Sequence, residues 1–94
     1  MDRNIVVKRF AELGHETRLA VFLLLVKAGR DGLPVGELQK HLGITGPTLS
    51  HHLHRLIHVG LVVQEREGRT LHCFAQLTAM RDVMQFLEEE CCTL

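Results

Sequence analysis

Apolar residues recur at helical spacing in five segments of this chain and fall into two short strand-like runs between the fourth and fifth. Ile5, Val6, Phe10 and Leu13 mark an apolar face on a first helix over residues 5–14, and Gly14 breaks it. Glu16 to Lys27 predicts a second helix, with Leu19, Phe22, Leu23 and Val26 expected to face inward. Ala28 to Pro34 is a loop by its Gly and Pro content. Val35 to Leu42 predicts a short helix, and Gly43 stands just past its end, where glycine commonly closes a helix. Thr45 is the expected N-cap of the next helix, Pro47 is tolerated in its first turn, and Gly60 closes it. Leu49, Leu53 and Leu56 fall on one side of that helix, and Pro47, His51, His54 and His58 fall on the other. Leu61 to Arg66 and Arg69 to Phe74 predict two strands joined at Glu67-Gly68, with a type I′ turn expected. On the second strand Leu71 and Cys73 share one face, and Thr70, His72 and Phe74 share the other. Leu77 to Glu90 predicts a last helix, carrying Leu77, Met80, Val83, Met84 and Leu87.

The fold class that follows is mainly α with a small β-hairpin. It is a winged helix-turn-helix of about five helices and a two-stranded wing, expected as a single domain over residues 1–94. The order helix, turn, helix, ribbon exists to place one helix in a DNA major groove. The expected DNA-binding residues are Thr45, Thr48, Ser50, His51, His54 and Arg55 on the second helix of the motif. Arg66 and Arg69 flank the wing turn and are expected on the backbone or in the minor groove. Hydroxyls bond phosphates or bases, and arginine prefers the acceptor pair of guanine. These polar side chains would be merely solvated on an unrelated surface helix; their occurrence within this ordered set of elements favours the DNA reading.

Charge at first sight opposes that reading, because 11 basic residues balance 11 acidic ones. The acid, however, is concentrated at the C-terminal end in Asp82, Glu88, Glu89 and Glu90, away from the reading surface. A dimer would double the phosphate contacts of a weakly charged monomer, and at 94 residues it would also supplement a modest core. With no Trp or Tyr, stacking on single-stranded bases is disfavoured. The charged N-terminus does not read as a signal peptide, and the run Leu19 to Val26 is too short to span a bilayer. A cytoplasmic protein with no membrane partner is expected. No Cys-x-x-Cys, nucleotide loop or acid–base constellation is present, so an enzyme is not expected, although a thiol oxidoreductase is the rival in that class. A winged helix that binds protein instead of DNA is another.

The three cysteines are Cys73, Cys91 and Cys92, and in a cytosol they are expected as reduced thiols. They admit several readings: core packing and an incidental tail, a redox or polysulfide bridge between Cys73 and Cys91, or thiolate ligands for a soft ion. His51, His54 and His58 have spacings that suit Zn or Ni, but a metal there would compete with DNA for the same face.

Phe10-Ala11-Glu12-Leu13-Gly14-His15-Glu16-Thr17-Arg18-Leu19 resembles the opening signature of the ArsR/SmtB family of bacterial repressors. Thr48-Leu49-Ser50-His51-His52-Leu53 and Gly60-Leu61-Val62 resemble its recognition helix and the start of its wing, and Arg66-Glu67-Gly68-Arg69 resembles its wing tip. Gly46-Pro47 departs from the polar residues usual in the family, which shifts the expected base contacts along the helix to Thr48, Ser50, His51 and Arg55. The resemblance covers essentially the whole chain. It implies a homodimer joined through the first and last helices, bound to double-stranded operator DNA and released by an inducer, with no cofactor required. Two familiar metal sites of the family lack their ligands: Glu37 to His41 contains no thiol pair, and the last helix has no His. The terminal Cys91-Cys92 with Cys73 on the wing strand resembles an arsenic-responsive branch. That resemblance implies arsenite or methylarsenite as inducer, held by Cys73, Cys91 and Cys92, which would tie the wing to the last helix. A thiol-based redox or polysulfide sensor, or a sensor of Zn or another soft metal, is the alternative on the same fold.

Overall fold

Asp2 starts the first helix by accepting a hydrogen bond from the Asn4 amide at 2.8 Å. In the computed structural model, which describes residues 1–94, the chain then runs α1 (Arg3–Leu13), α2 (Glu16–Ala28), a 3₁₀ turn (Gly29–Asp31), β1 (Leu33–Pro34), α3 (Val35–Leu42), α4 (Gly46–His58), β2 (Val62–Glu67), β3 (Thr70–Ala75) and α5 (Leu77–Glu90). His15 caps α2 through its Nδ1, which accepts from the Thr17 amide at 3.2 Å. Gly43 takes the left-handed conformation (φ 63°, ψ 33°), and its amide closes α3 on the Gln39 carbonyl at 2.8 Å.

The core lies where α2, α3, α4 and the sheet meet. Val21, Leu25, Leu38, Leu49, Leu53, Leu56 and Leu61 are fully enclosed. Each such side chain contributes about 1.5–3 kcal/mol of transfer free energy. Because Leu49, Leu53 and Leu56 lie on one face of α4, their burial also fixes which face of that helix looks outward.

Three sequence expectations are corrected. The sheet has three strands in the order β1-β3-β2, not two, because Leu33 pairs with Cys73 and Pro34 with His72. Proline is admissible there because β1 is an edge strand. The wing turn lies at Gly68-Arg69, since Glu67 pairs with Thr70. Gly68 has φ 61° while Arg69 has no positive φ, the pattern of a type II′ turn rather than I′. On α2, Leu19 and Leu23 face outward, at 40% and 46% exposure, while Arg18, Val21, Phe22 and Leu25 are buried. That helix is apolar around most of its circumference, so periodicity could not choose its inner face.

Ile5, Val7 and Phe10 on α1 and Met84 and Leu87 on α5 are exposed as well. The radius of gyration is 14.1 Å, above the roughly 12 Å of a compact chain of this length. The molecule is accordingly elongated, 51 × 23 × 19 Å, and carries apolar surface on its outer helices.

Candidate nucleic-acid interface and cysteine sites

The leucine anchor turns Thr48, Ser50, His51, His54 and His58 of α4 to solvent. Thr45 stands at the helix start in extended conformation (φ −73°, ψ 158°), but its hydroxyl bonds Thr48 Oγ1 at 2.9 Å instead of a backbone amide. These two hydroxyls are thus coupled at the exposed tip of the helix. Its first-turn amides have no side-chain cap, and helix N-terminal amides attract anions.

The wing supplies the second polar surface. Arg66 and Arg69 are exposed, and with Lys40, Glu37 and Thr70 they border a groove of about 470 Å³ between the wing and the start of α3. Lys40 is offset there by Glu37 at 3.6 Å.

Arg55, expected among the DNA contacts, folds back onto α1 instead of extending from α4. Its Nε donates to both carboxylate oxygens of Glu12, at 3.0 and 2.9 Å, and its Nη2 donates to Oε1 at 2.9 Å. Arg18 adds a longer ion pair to the same carboxylate at 3.9 Å and donates from Nε to the Glu12 carbonyl at 2.8 Å. The hydrogen bond from Arg55, aided by the charges of Arg55 and Arg18, holds the Glu12 carboxyl below its ordinary 4.5 against the opposing effect of burial. Beside this cluster His52 is buried, with Nδ1 3.4 Å from Arg18 Nη1 and its ring 4.9 Å from that of His15. Desolvation first, then the neighbouring His15 and Arg18, push its pKa below the ordinary 6.5.

Sequence reasoning missed Glu12 and Arg18 as partners of the recognition helix. Nothing in the local pattern joins Glu12 to a residue 43 positions later. The one available signal was charge inside largely apolar helical turns.

The three thiols lie in two different settings. Cys73 is completely buried on β3, where Gln64 Nε2 lies 3.4 Å from its sulfur. Burial pushes its thiol pKa up, partly offset by that hydrogen bond. Cys91 and Cys92 are exposed beyond α5, with their sulfurs 2.7 Å apart. The mutual hydrogen bond raises the Cys91 thiol, and Cys92 has φ 66°, uncommon for a residue with a side chain. Within one chain, therefore, Cys91 and Cys92 stand together and Cys73 does not join them. No group of three His, Cys, Asp or Glu side chains converges as a metal site, His51, His54 and His58 included.

The comparisons with known proteins agree with the geometry. A model of a helix-turn-helix domain family matches residues 13–65, from the end of α1 into β2. No curated protein sequence matches the chain. Among solved structures, an ArsR-like transcriptional regulator from Rhodococcus sp. RHA1 has a TM-score of 0.80 at 26% identity, over 92% of this chain and 78% of that one. HlyU from Vibrio cholerae has a TM-score of 0.73 at 26% identity, over 97% and 99%. The transcriptional repressor BigR from Xylella fastidiosa has a TM-score of 0.70 at 29% identity, over 96% and 90%. The chain belongs to the helix-turn-helix domain family, and its winged-helix fold is similar to those of ArsR-like transcriptional regulators.

Proposed function

We propose that this chain is a dimeric repressor that binds double-stranded operator DNA and is released when a trivalent arsenical binds its thiolates. The observation that carries the DNA half is α4 itself, with leucines inward and Thr48, Ser50, His51 and His54 outward, at the end of a helix-turn-helix. Thr45 would join them at the helix tip, and Arg66 and Arg69 would hold phosphates beside the wing. The exposed residues Ile5, Val7 and Phe10 of α1 and Met84 and Leu87 of α5 suit a dimer surface through the first and last helices. No helix is long and apolar enough to cross a membrane, in keeping with work on DNA in the cytoplasm.

The sensor half rests on the vicinal pair Cys91-Cys92. Arsenite is a soft, pyramidal acceptor, and thiolates suit such ions. Two thiols displace two hydroxyl ligands from arsenic as water, forming two As–S bonds with no change of oxidation state. Methylarsenite has two exchangeable ligands and matches the pair alone; arsenite has three and would draw in Cys73 once the sheet around it opens. A near-complete release needs roughly 5.5 kcal/mol of differential affinity.

A second reading has its own support. The adjacent sulfurs are also the chain's accessible oxidation site, and a neighbouring solved structure is the reduced form of HlyU from Vibrio cholerae. Titrating a protein–DNA complex with arsenite, methylarsenite, Zn and peroxide decides between them, with Cys73→Ser, Cys91→Ser and Cys92→Ser alongside. Release by an arsenical that is lost in the Cys91→Ser and Cys92→Ser variants supports the proposal. Release by peroxide alone assigns the redox function, and unchanged release in all three variants removes the thiols from the sensor.

A further inference from the structure

The recognition helix is held to α1 at two points one turn apart. The first is the fork from Arg55 to Glu12. The second is Arg9, three residues earlier on the same face of α1. Its Nε donates to the carbonyl of Val59 at 2.9 Å, just past the end of α4, and its Nη1 reaches the Ala79 carbonyl of α5 at 3.5 Å. Gly60 follows with φ 78°, and a Cβ there would meet Arg9 Nη2 at 3.2 Å, so the chain turns closely around this guanidinium.

We infer that Arg9 and Glu12 set the position of the recognition helix, and that Arg55 is a positioning residue rather than a reader of bases. Glu12 is nearly buried, with a side chain only 11% exposed. Withdrawing Arg55 to reach a groove would leave that carboxylate with the more distant Arg18, and a buried charge that loses its close partner is strongly disfavoured. The Nε and Nη2 side of Arg55 is held by a carboxylate within its own chain, and a side-on bidentate contact to guanine through that edge would require the side chain to swing away. Arg9 satisfies a carbonyl at the C-terminal end of α4, where cations are favoured. Together the two grips fix both the rotation and the axial position of α4 relative to α1.

This inference rests on the DNA-binding reading for its effect but not for its geometry, and the experiment separates the two. Binding is measured over a range of salt concentrations with a duplex selected from a random pool by the wild-type protein, for wild type, Glu12→Gln, Arg55→Gln, Arg9→Gln and the Glu12→Gln/Arg55→Gln double variant. A positioning role predicts affinity losses on the order of tenfold. The salt lines should stay parallel, and the double variant should be no weaker than the weaker single. Arg55 as a direct phosphate contact instead predicts a slope shallower by about 0.9 for Arg55→Gln. As a base reader it predicts tight binding by Glu12→Gln, whose freed arginine would be available. Either result overturns the inference. Amide hydrogen exchange over residues 46–59 is measured without DNA. Faster exchange in Arg55→Gln, which leaves the core intact, supports the grip; unchanged exchange in every variant overturns it. A wild-type protein that selects no duplex sinks the DNA-binding reading alone, and the exchange result still decides the grip.

Discussion

The imidazole Nδ1 of His52 lies 3.4 Å from Nη1 of Arg18, inside the layer that joins α2 to the recognition helix. A permanently charged donor at that distance is compatible with a neutral ring whose Nδ1 accepts, and incompatible with an imidazolium. Burial acts in the same direction, and the pKa of His52 is lowered from 6.5. The unfolded chain therefore takes up a proton that the folded one refuses. Stability is complete above the ordinary value and falls as pH drops below about 6.5 toward the folded value. Thermal melts between about pH 7.5 and about pH 5.5 should show a declining Tm, with a shallower decline in His52→Asn. Equal slopes in both proteins would assign the effect to other groups.

Glu12 adds a second, more acidic step. Its carboxyl is held below 4.5, first by the hydrogen bond from Arg55. The resulting stability is present above that ordinary value and is lost as pH falls below it through the folded value. Glu12→Gln should be less stable at neutral pH and should lose less on acidification. Urea denaturation at several pH values measures both quantities.

Gly32 is expected to tolerate no side chain. It has φ 63°, and a Cβ there would collide with the Cys73 carbonyl and the Phe74 ring. Gly32→Ala should cost about 1–3 kcal/mol from overpacking alone, read as a lower urea midpoint. Gly29 has a similar φ of 64° but open space around it. Gly29→Ala should cost less, and the difference between the two isolates the clash from the backbone strain.

The thiols should titrate in two classes. A chromogenic disulfide reagent is expected to modify Cys91 and Cys92 in the native protein, and Cys73 only after unfolding, because only the first two are exposed. Fast modification of Cys73 in the native state would show that the sheet opens readily, and would make Cys73 a more accessible ligand than its burial implies.

The exposed apolar residues of α1 and α5 predict self-association. Phe10→Glu places a charge at a position 43% exposed, on the same helix as exposed Ile5 and Val7. Sedimentation should show a dimer for the wild type and a monomer for the variant, with folding retained. An unchanged dimer would move the interface elsewhere, with Leu19 and Leu23 on α2 the next surface to test.

The recognition helix was legible from sequence because its two faces differ in chemistry. Leu49, Leu53 and Leu56 are buried, and His51, His54 and His58 are exposed, as the wheel predicts. Gly43 was legible because its position demands a left-handed residue. The inner face of α2 was not, because Leu19 to Val26 offers apolar side chains in every direction. Strand β1 was hidden because two residues carry no period, and its pairing depends on where β3 lies in space. The polar cluster was hidden for a related reason. Arg55 looks like a free surface cation until the fold brings Glu12 beneath it. Likewise, three cysteines near one end of a sequence read as one ligand set, yet a strand in the core and a helix terminus keep Cys73 apart from Cys91 and Cys92.

Strand β1 has a mechanical meaning beyond closing the sheet edge. Leu33 and Pro34 pair with Cys73 and His72 on the wing, and Val35 begins α3 immediately afterwards. The wing is thereby sewn to the first helix of the helix-turn-helix, so a tilt of the hairpin drags the foot of that helix with it. The chain does not own a flapping arm beside a fixed reader. On the DNA-binding reading proposed above, a signal that tilts the wing would carry α3 with it.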